Sequence, residues 1–168
     1  MDPLDTLRIR PGEPGDFARV QKDWKLSYAT SDFARFLSLS SDWRARASQT
    51  YWDWQSAIVA RLLREAELWV ACWAEETSAI VGWCVTEPER EDLDQVPRPG
   101  PIVHYVNVLP PYRLHGVAKR LLAPALEHPI ATYTHRTLAC RHLPIPSGWV
   151  FDPRPALVPR RRASEERR

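Results

Sequence analysis

The chain has 168 residues, 44% of them apolar and 26% charged, with a formal net charge of +2. That length makes one ordinary domain with a single core and leaves no room for a second catalytic domain. The small net charge does not by itself suggest a nucleic-acid binder, and no 18-residue uncharged stretch exists to span a membrane.

Asp2 and Asp5 stand where an exported chain would carry an apolar leader, so the expected location is the cytoplasm, with no membrane partner. Cys72, Cys84 and Cys140 are odd in number and lack a CxxC spacing, and therefore read as reduced core thiols. Eight tryptophans are many, and most should be core or pocket walls.

Leu7-Arg-Ile-Arg10 alternates and runs into Pro11-Gly-Glu-Pro-Gly15, which predicts a short strand and a turn. Asp16 can cap the helix that follows, where Phe17, Val20, Trp24 and Tyr28 recur at three- and four-residue steps. Ser31 to Gln49 is serine-rich with scattered aromatics and predicts a loop or short helical turns. A second helix is predicted from Thr50 to Glu65, with Trp54, Ile58, Leu62 and Leu63 on one face. The apolar runs Leu68–Trp73 and Ala79–Val85 make a hairpin, and the charged, proline-bearing stretch from Glu87 to Gly100 makes a long loop.

Ile102-Val-His-Tyr-Val-Asn-Val108 is a β-branched and aromatic run of strand length, ended by Pro110-Pro111. Val117, Leu121, Leu122 and Ala125 then recur at helical spacing, so a helix starts near His115 or Gly116. The first N–H groups of a helix have no intrahelical acceptor and lie at its positive end, where an anion fits. Gly116 lacks the Cβ that would hold a phosphate away, Ala118 is nearly as small, and Arg113, Lys119 and Arg120 add positive charge. The alternative is an ordinary strand-turn-helix connection that happens to contain a glycine. Pro124 should kink or shorten the helix, and a further strand is predicted around Thr132 to Ala139.

Val108-Leu-Pro-Pro-Tyr-Arg113-Leu-His-Gly116-Val-Ala118 resembles the signature of the GCN5-related N-acetyltransferases (GNAT), Val-x-Pro-x-x-(Arg/Gln)-x-x-Gly-x-(Gly/Ala). The β-α-α-β-β-β-α-β order extends the resemblance over roughly residues 6 to 139. The segments at Trp24, Ser27-Tyr28 and Tyr133-Thr-His135 are also similar to phage-encoded members of that group.

The resemblance implies an α/β (α+β) fold, a mixed and mostly antiparallel sheet flanked by helices, with acetyl-CoA as co-substrate and an amine-bearing small molecule or macromolecule as acceptor. It implies that the pyrophosphate takes the amides of Arg113, Leu114, His115, Gly116, Val117, Ala118 and Lys119, and that pantetheine lies along Val106, Asn107 and Val108. The family's two N-terminal helices cover the substrate end, which makes Trp24, Tyr28, Tyr51 and Trp54 candidate acceptor-pocket residues, although an aromatic stripe at helical spacing also describes a core.

For the chemistry, the 102–108 strand carries no carboxylate, and His104 is its ionisable residue and candidate base. A hydrogen-bonded core histidine fits the same position. Strict alternation places Tyr105 and Asn107 on the face opposite His104. Tyr133, beside His135, is the candidate acid or a packing residue, and Glu87 is an alternative base acting through water. His104, His115, His128, His135 and His142 with Cys140 lack the paired spacings of a zinc site, so no metal is expected.

Leu143-Pro-Ile-Pro-Ser-Gly148 and Asp152-Pro-Arg-Pro155 argue against a regular helix, so the C-terminal lobe should be reduced. The expected division is an acetyltransferase-like domain over residues 1–150 and a basic, disordered tail over 151–168. From Arg136 onward the chain holds eight arginines against Asp152, Glu165 and Glu166, and a nucleic-acid-modifying or binding use of that tail is the alternative function.

Overall fold

The computed structural model describes residues 6–29, 42–90, 100–135 and 145–158, with the side chains at 28, 29, 42–48, 50 and 51 outside the described set. Among the described residues six strands form one sheet in sequence order: β1 (Leu7–Pro11), β2 (Glu67–Trp73), β3 (Ile80–Glu87), β4 (Ile102–Val108), β5 (Ala131–Tyr133) and β6 (Trp149–Phe151). The pairs from β1 to β4 are antiparallel, and the last two are parallel. The sheet is therefore mixed and mostly antiparallel.

Helices α1 (Phe17–Ala29) and α2 (Asp42–Glu65) cover one face. Val20 and Trp24 of α1 and Ile58, Val59, Leu62 and Leu63 of α2 pack there on Val70, Trp83, Val85 and Tyr105. The other face takes α3 (Val117–Leu121) and α4 (Ala123–Leu126), whose Val117, Leu121, Leu122 and Ala125 pack on Ala71, Val81, Cys84, Val103 and Val108. β3 is buried along almost its whole length because both faces are covered. Cys72 and Cys84 are buried free thiols, and burial pushes the Cys84 thiol up to about 12. Cys140 lies outside the described residues.

Several local expectations are corrected. Residues 42–49 are helical rather than loop, since Arg46, Ala47 and Gln49 are good helix formers that extend α2 toward its N-terminus. The buried face of α2 runs through Gln55, Ile58, Val59 and Leu62, so Trp54 falls off it and is 51% exposed. Asp16 does not cap α1. Its carboxylate accepts from the Glu13 amide at 2.8 Å and from Arg10 at 2.7 and 3.1 Å, in a short 3-10 turn that precedes the helix. β5 ends at Tyr133, two further residues are without regular structure, and 136–139 lie outside the described residues. Pro124 does divide the helix, with Leu122 serving as the joint between α3 and α4.

The C-terminal segment is not a detached tail from residue 151. Asp152 and Ala156 are buried, and Arg154–Leu157 form a one-turn helix, α5, because Pro155 occupies a first-turn position where no N–H is needed. Arg61 donates to the Ala156 carbonyl, and Arg90 donates to those of Pro155 and Val158 at 3.1 and 2.9 Å. The fold thus continues to Val158, and the tail beyond it is outside the described residues.

Candidate active site

At the end of β4 the prolines make a 3-10 turn over Pro110–Tyr112, and the Arg113 amide closes it on the Pro110 carbonyl at 3.3 Å. The Arg113 side chain turns back as well, its Nε donating to the Val108 carbonyl at 2.9 Å. The Arg113 amide is therefore used within the turn and drops out of the predicted anion cradle. Leu114 and Gly116 both take left-handed backbone, with φ of 66° and 79°. Gly116 is the N-cap of α3.

Among the described residues, the amides of Gly116, Val117, Ala118 and Lys119 donate to no backbone carbonyl, whereas that of Arg120 returns to Gly116 at 3.0 Å. These are the orphan donors of a helix start, next to residues in left-handed conformation, an arrangement that makes a concave, positive surface. Leu114, His115 and Gly116 stand exposed beside it.

Beside this turn the sheet opens. Among the described residues β4 and β5 pair through Ile102–Thr132 and Val103–Tyr133, and the Thr132 and Thr134 amides donate to the carbonyls of Pro101 and Val103 at 3.0 and 3.1 Å. Beyond Val103 the strands diverge, and a cleft of about 620 Å³, including its open mouth, lies between them. Val106, Lys119, Leu122, Tyr133, His135 and Trp149 are among its walls, together with His104 and Tyr105. Lys119 belongs to both the cleft and the amide turn, so the two are continuous. Asn107, paired in register with Trp83, is not among the cleft walls.

The register of β3 against β4 shifts so that Val85 faces Tyr105 and Thr86 faces Val103, leaving His104 as the extra residue of a β-bulge. Strict alternation fails at this point: Val103 packs on the α3 face and Tyr105 on the α1 and α2 face. Trp24, Trp83 and Tyr105 form a three-ring cluster with centroids 5.0 to 5.3 Å apart. The Tyr105 hydroxyl meets the Ser27 hydroxyl at 2.7 Å. Trp24 is a core residue with no exposed surface, so it offers an acceptor nothing to touch. Trp54 is open to solvent, and the side chains of Tyr28 and Tyr51 lie outside the described residues.

The bulge also turns His104 into a buried polar network. Its Nε2 lies 3.0 Å from Oε1 of Glu87, itself 4.0 Å from the Arg90 guanidinium. On the other side, Nδ1 of His104 meets the Thr134 hydroxyl at 3.2 Å, and Thr134 meets Nδ1 of His135 at 2.8 Å. Two predicted residues, Glu87 and His104, are thereby brought into contact. Tyr133 stands apart from them, half-buried on the cleft wall against Phe151.

Burial pushes His104 below its ordinary value, with Arg61 and Arg90 adding to the depression and Glu87 opposing it. Burial and the neighbouring His104 lower His135 to about 4, against the hydrogen bond to the His104 carbonyl. Both imidazoles stay neutral in the fold where an unfolded chain would take up protons. Stability is thus full above about pH 6.5 and falls as pH drops toward 4, with a slope of up to about 1.4 kcal/mol per pH unit from His135 and a further decline of the same sign from His104. Urea midpoints at pH 7.5, 6 and 5 should show that decline, and a flat profile would mean the rings are charged in the folded chain.

Thr134 and Arg90 are participants that periodicity does not single out. Their only sequence signal is a polar residue next to an apolar run, which is common. Among the described residues, no group of three or more His, Cys, Asp or Glu side chains could hold a metal ion, and no helix is long and apolar enough to cross a membrane.

A splayed mixed sheet with an open-amide turn at the mouth of the splay defines an acetyltransferase-type fold. The family model described as the Acetyltransferase (GNAT) family matches residues 27–142, more than half the chain. The protein belongs to the GNAT acetyltransferase family. Among solved structures, a GNAT family acetyltransferase from Brucella melitensis in complex with acetyl-CoA is similar at 17% identity and a TM-score of 0.50, covering 80% of this chain and 79% of that one. A GCN5-related N-acetyltransferase from Ralstonia eutropha JMP134 is similar at 19% identity and a TM-score of 0.48, covering 80% and 86%. At 17% identity the likeness to the Brucella melitensis structure concerns the fold. No curated protein sequence matches the chain.

Proposed function

We propose that this protein is an acyl-CoA-dependent N-acyltransferase that moves an acetyl group from acetyl-CoA to an amine. The observation that carries the reading is the continuity of the unpaired amides at Gly116–Lys119 with the β4/β5 cleft. The amides suit a pyrophosphate, and Lys119 supplies a nearby cation. Beyond Val103 the β5-facing edge of β4 has no strand partner among the described residues, so Val106 and Val108 stand where an amide-bearing arm can add to the edge as a strand would. Attack on a thioester needs a neutral amine, a donor for the developing oxyanion and a proton for the leaving thiolate. His104, which lines the cleft with a buried imidazole beside Glu87, is the proposed base acting on the amine through water, and Tyr133 on the cleft wall is the proposed acid.

Calorimetry of the full chain with acetyl-CoA should give a Kd within about 1 μM to 1 mM, the usual span for enzyme substrates. CoA release in the presence of spermidine, kanamycin and a lysine-containing peptide then ranks acceptor classes. Deleting residues 159–168, which lie beyond the described fold, should leave both unchanged. Absence of any acetyl-CoA binding by the intact chain would overturn the reading. Activity lost with the tail, together with steep salt dependence, would point instead to a nucleic-acid substrate.

A further inference from the structure

Leu114 combines two features that are ordinary apart and unusual together. Its φ of 66° is the one positive value outside glycine among the described residues. Left-handed backbone is unfavourable for a side chain of this bulk, whereas glycine takes it freely and asparagine at little cost. The Leu114 side chain is also 100% exposed, while the other exposed large apolar residues among those described keep about half their surface covered, at 41–55%. A lone exposed leucine is common on protein surfaces. Here, however, the backbone bears strain to carry an apolar side chain that packs on nothing in the fold.

Anchors on both sides hold that strain in place. The Tyr112 ring meets Trp73 edge-on with centroids 5.7 Å apart, and the Arg113 Nε donates to the Val108 carbonyl at 2.9 Å. Val117, three residues after Leu114, is buried in the core under α3. With the chain fixed at 112–113 and again at 117, the turn cannot relax around Leu114, and strain kept in this way is a mark of sites that meet a ligand.

We infer that the Leu114 side chain contacts the adenosine of the acyl donor, and so selects thioesters that carry a nucleotide over those that end at a phosphopantetheine phosphate. The inference rests on the acyltransferase reading and deepens it by naming the part of the donor read at this turn. A coenzyme A thioester has two arms on its pyrophosphate. Pantetheine enters the cleft, whose walls include Lys119 and not Leu114. Adenosine is left outside it, where Leu114 and His115 are the exposed residues just before the amides that begin at Gly116. Leu114 and Gly116 are two Cα steps apart, at most about 7 Å, so a base one ribose away from the pyrophosphate comes within reach of the leucine. The faces of an adenine ring are poorly hydrated, and laying one on Leu114 removes apolar surface of both from water. The Arg113 side chain, which could compete for the same place, is turned back onto Val108.

Leu114→Asn tests this, because asparagine accepts left-handed backbone and brings no aliphatic surface. Equilibrium dialysis with radiolabelled acetyl-CoA should show binding about 3- to 10-fold weaker in the variant, the effect of covering about half of a leucine side chain. Acetyl-phosphopantetheine lacks the adenosine, and its affinity, read by displacement of the label, should stay within about twofold of that for the unmodified chain. The thermal midpoint of the ligand-free variant should rise by about 1–4 °C as the strain is released. An unchanged affinity for acetyl-CoA, an equal loss for the two thioesters, or a lowered midpoint would overturn the role of Leu114 while leaving the acyltransferase reading in place. Failure of the unmodified chain to bind acetyl-CoA would overturn that reading, and the adenosine contact with it.

Discussion

Gly116→Trp should weaken acetyl-CoA binding about 100-fold or more, close to 2.7 kcal/mol. The magnitude follows from hydrogen bonds to a charged group, worth roughly 1.5–3 kcal/mol each, of which two or more depend on the amides that begin at Gly116. Gly116 has φ of 79°, and a Cβ built on it meets nothing within 4 Å. A side chain there starts into open space, so the bulk of an indole competes with a ligand in front of the turn. The left-handed backbone itself costs an L residue about 1–2 kcal/mol, so Gly116→Ala is the control for strain without bulk. Calorimetry should show a less than tenfold change in the alanine variant, and thermal midpoints should separate folding from binding. Tight binding by a folded Gly116→Trp protein would remove the anion site from this turn.

Trp24→Ala should cost about 3–5 kcal/mol of stability, the usual range for truncating a buried aromatic. That is a large part of the 5–15 kcal/mol that holds a typical domain together, and it should lower the thermal midpoint by about 6–20 °C. The ring has no exposed surface and lies at the centre of the contact between α1 and the sheet, 5.1 Å from Trp83 and 5.0 Å from Tyr105 by ring centroids. Its Nε1 donates to no acceptor among the described residues, so Trp24→Phe sacrifices volume but no hydrogen bond to the described part of the fold. The phenylalanine variant should therefore lose less than half as much. Urea unfolding of the two variants measures both, and a loss below 1 kcal/mol in Trp24→Ala would show that the cluster is not part of the core.

Trp24 also illustrates where one-dimensional reading stops. Its spacing with Val20 and Tyr28 marks the inner face of a helix correctly, but an inner face can be a core or a pocket wall. The choice depends on whether Trp83 and Tyr105, some 60 and 80 residues away, fill the space in front of it, which they do. The same holds for His104. Alternation assigns it a face on the assumption of a regular ladder, and the bulge against Val85 and Thr86 breaks that assumption. Bulges come from how two strands are brought into register, and a strand's own residues do not report its partner's.

Local chemistry was enough for the elements and for the anion turn. Prolines and glycines punctuate the chain, β-branched runs make strands, and Val108 to Ala118 carries in eleven consecutive positions both the turn and the helix start that leave the amides open. Tertiary structure alone decided the rest. The short parallel pairing of β4 with β5 opens the cleft and carries Thr134 and His135 to the back of His104. Clips from Arg61 and Arg90 bind the one-turn α5 helix into the fold. Contacts within a few residues are governed by propensity and sterics that each position carries with it. Polar partners 30 to 95 residues apart meet only when the packing of the sheet sets their distance.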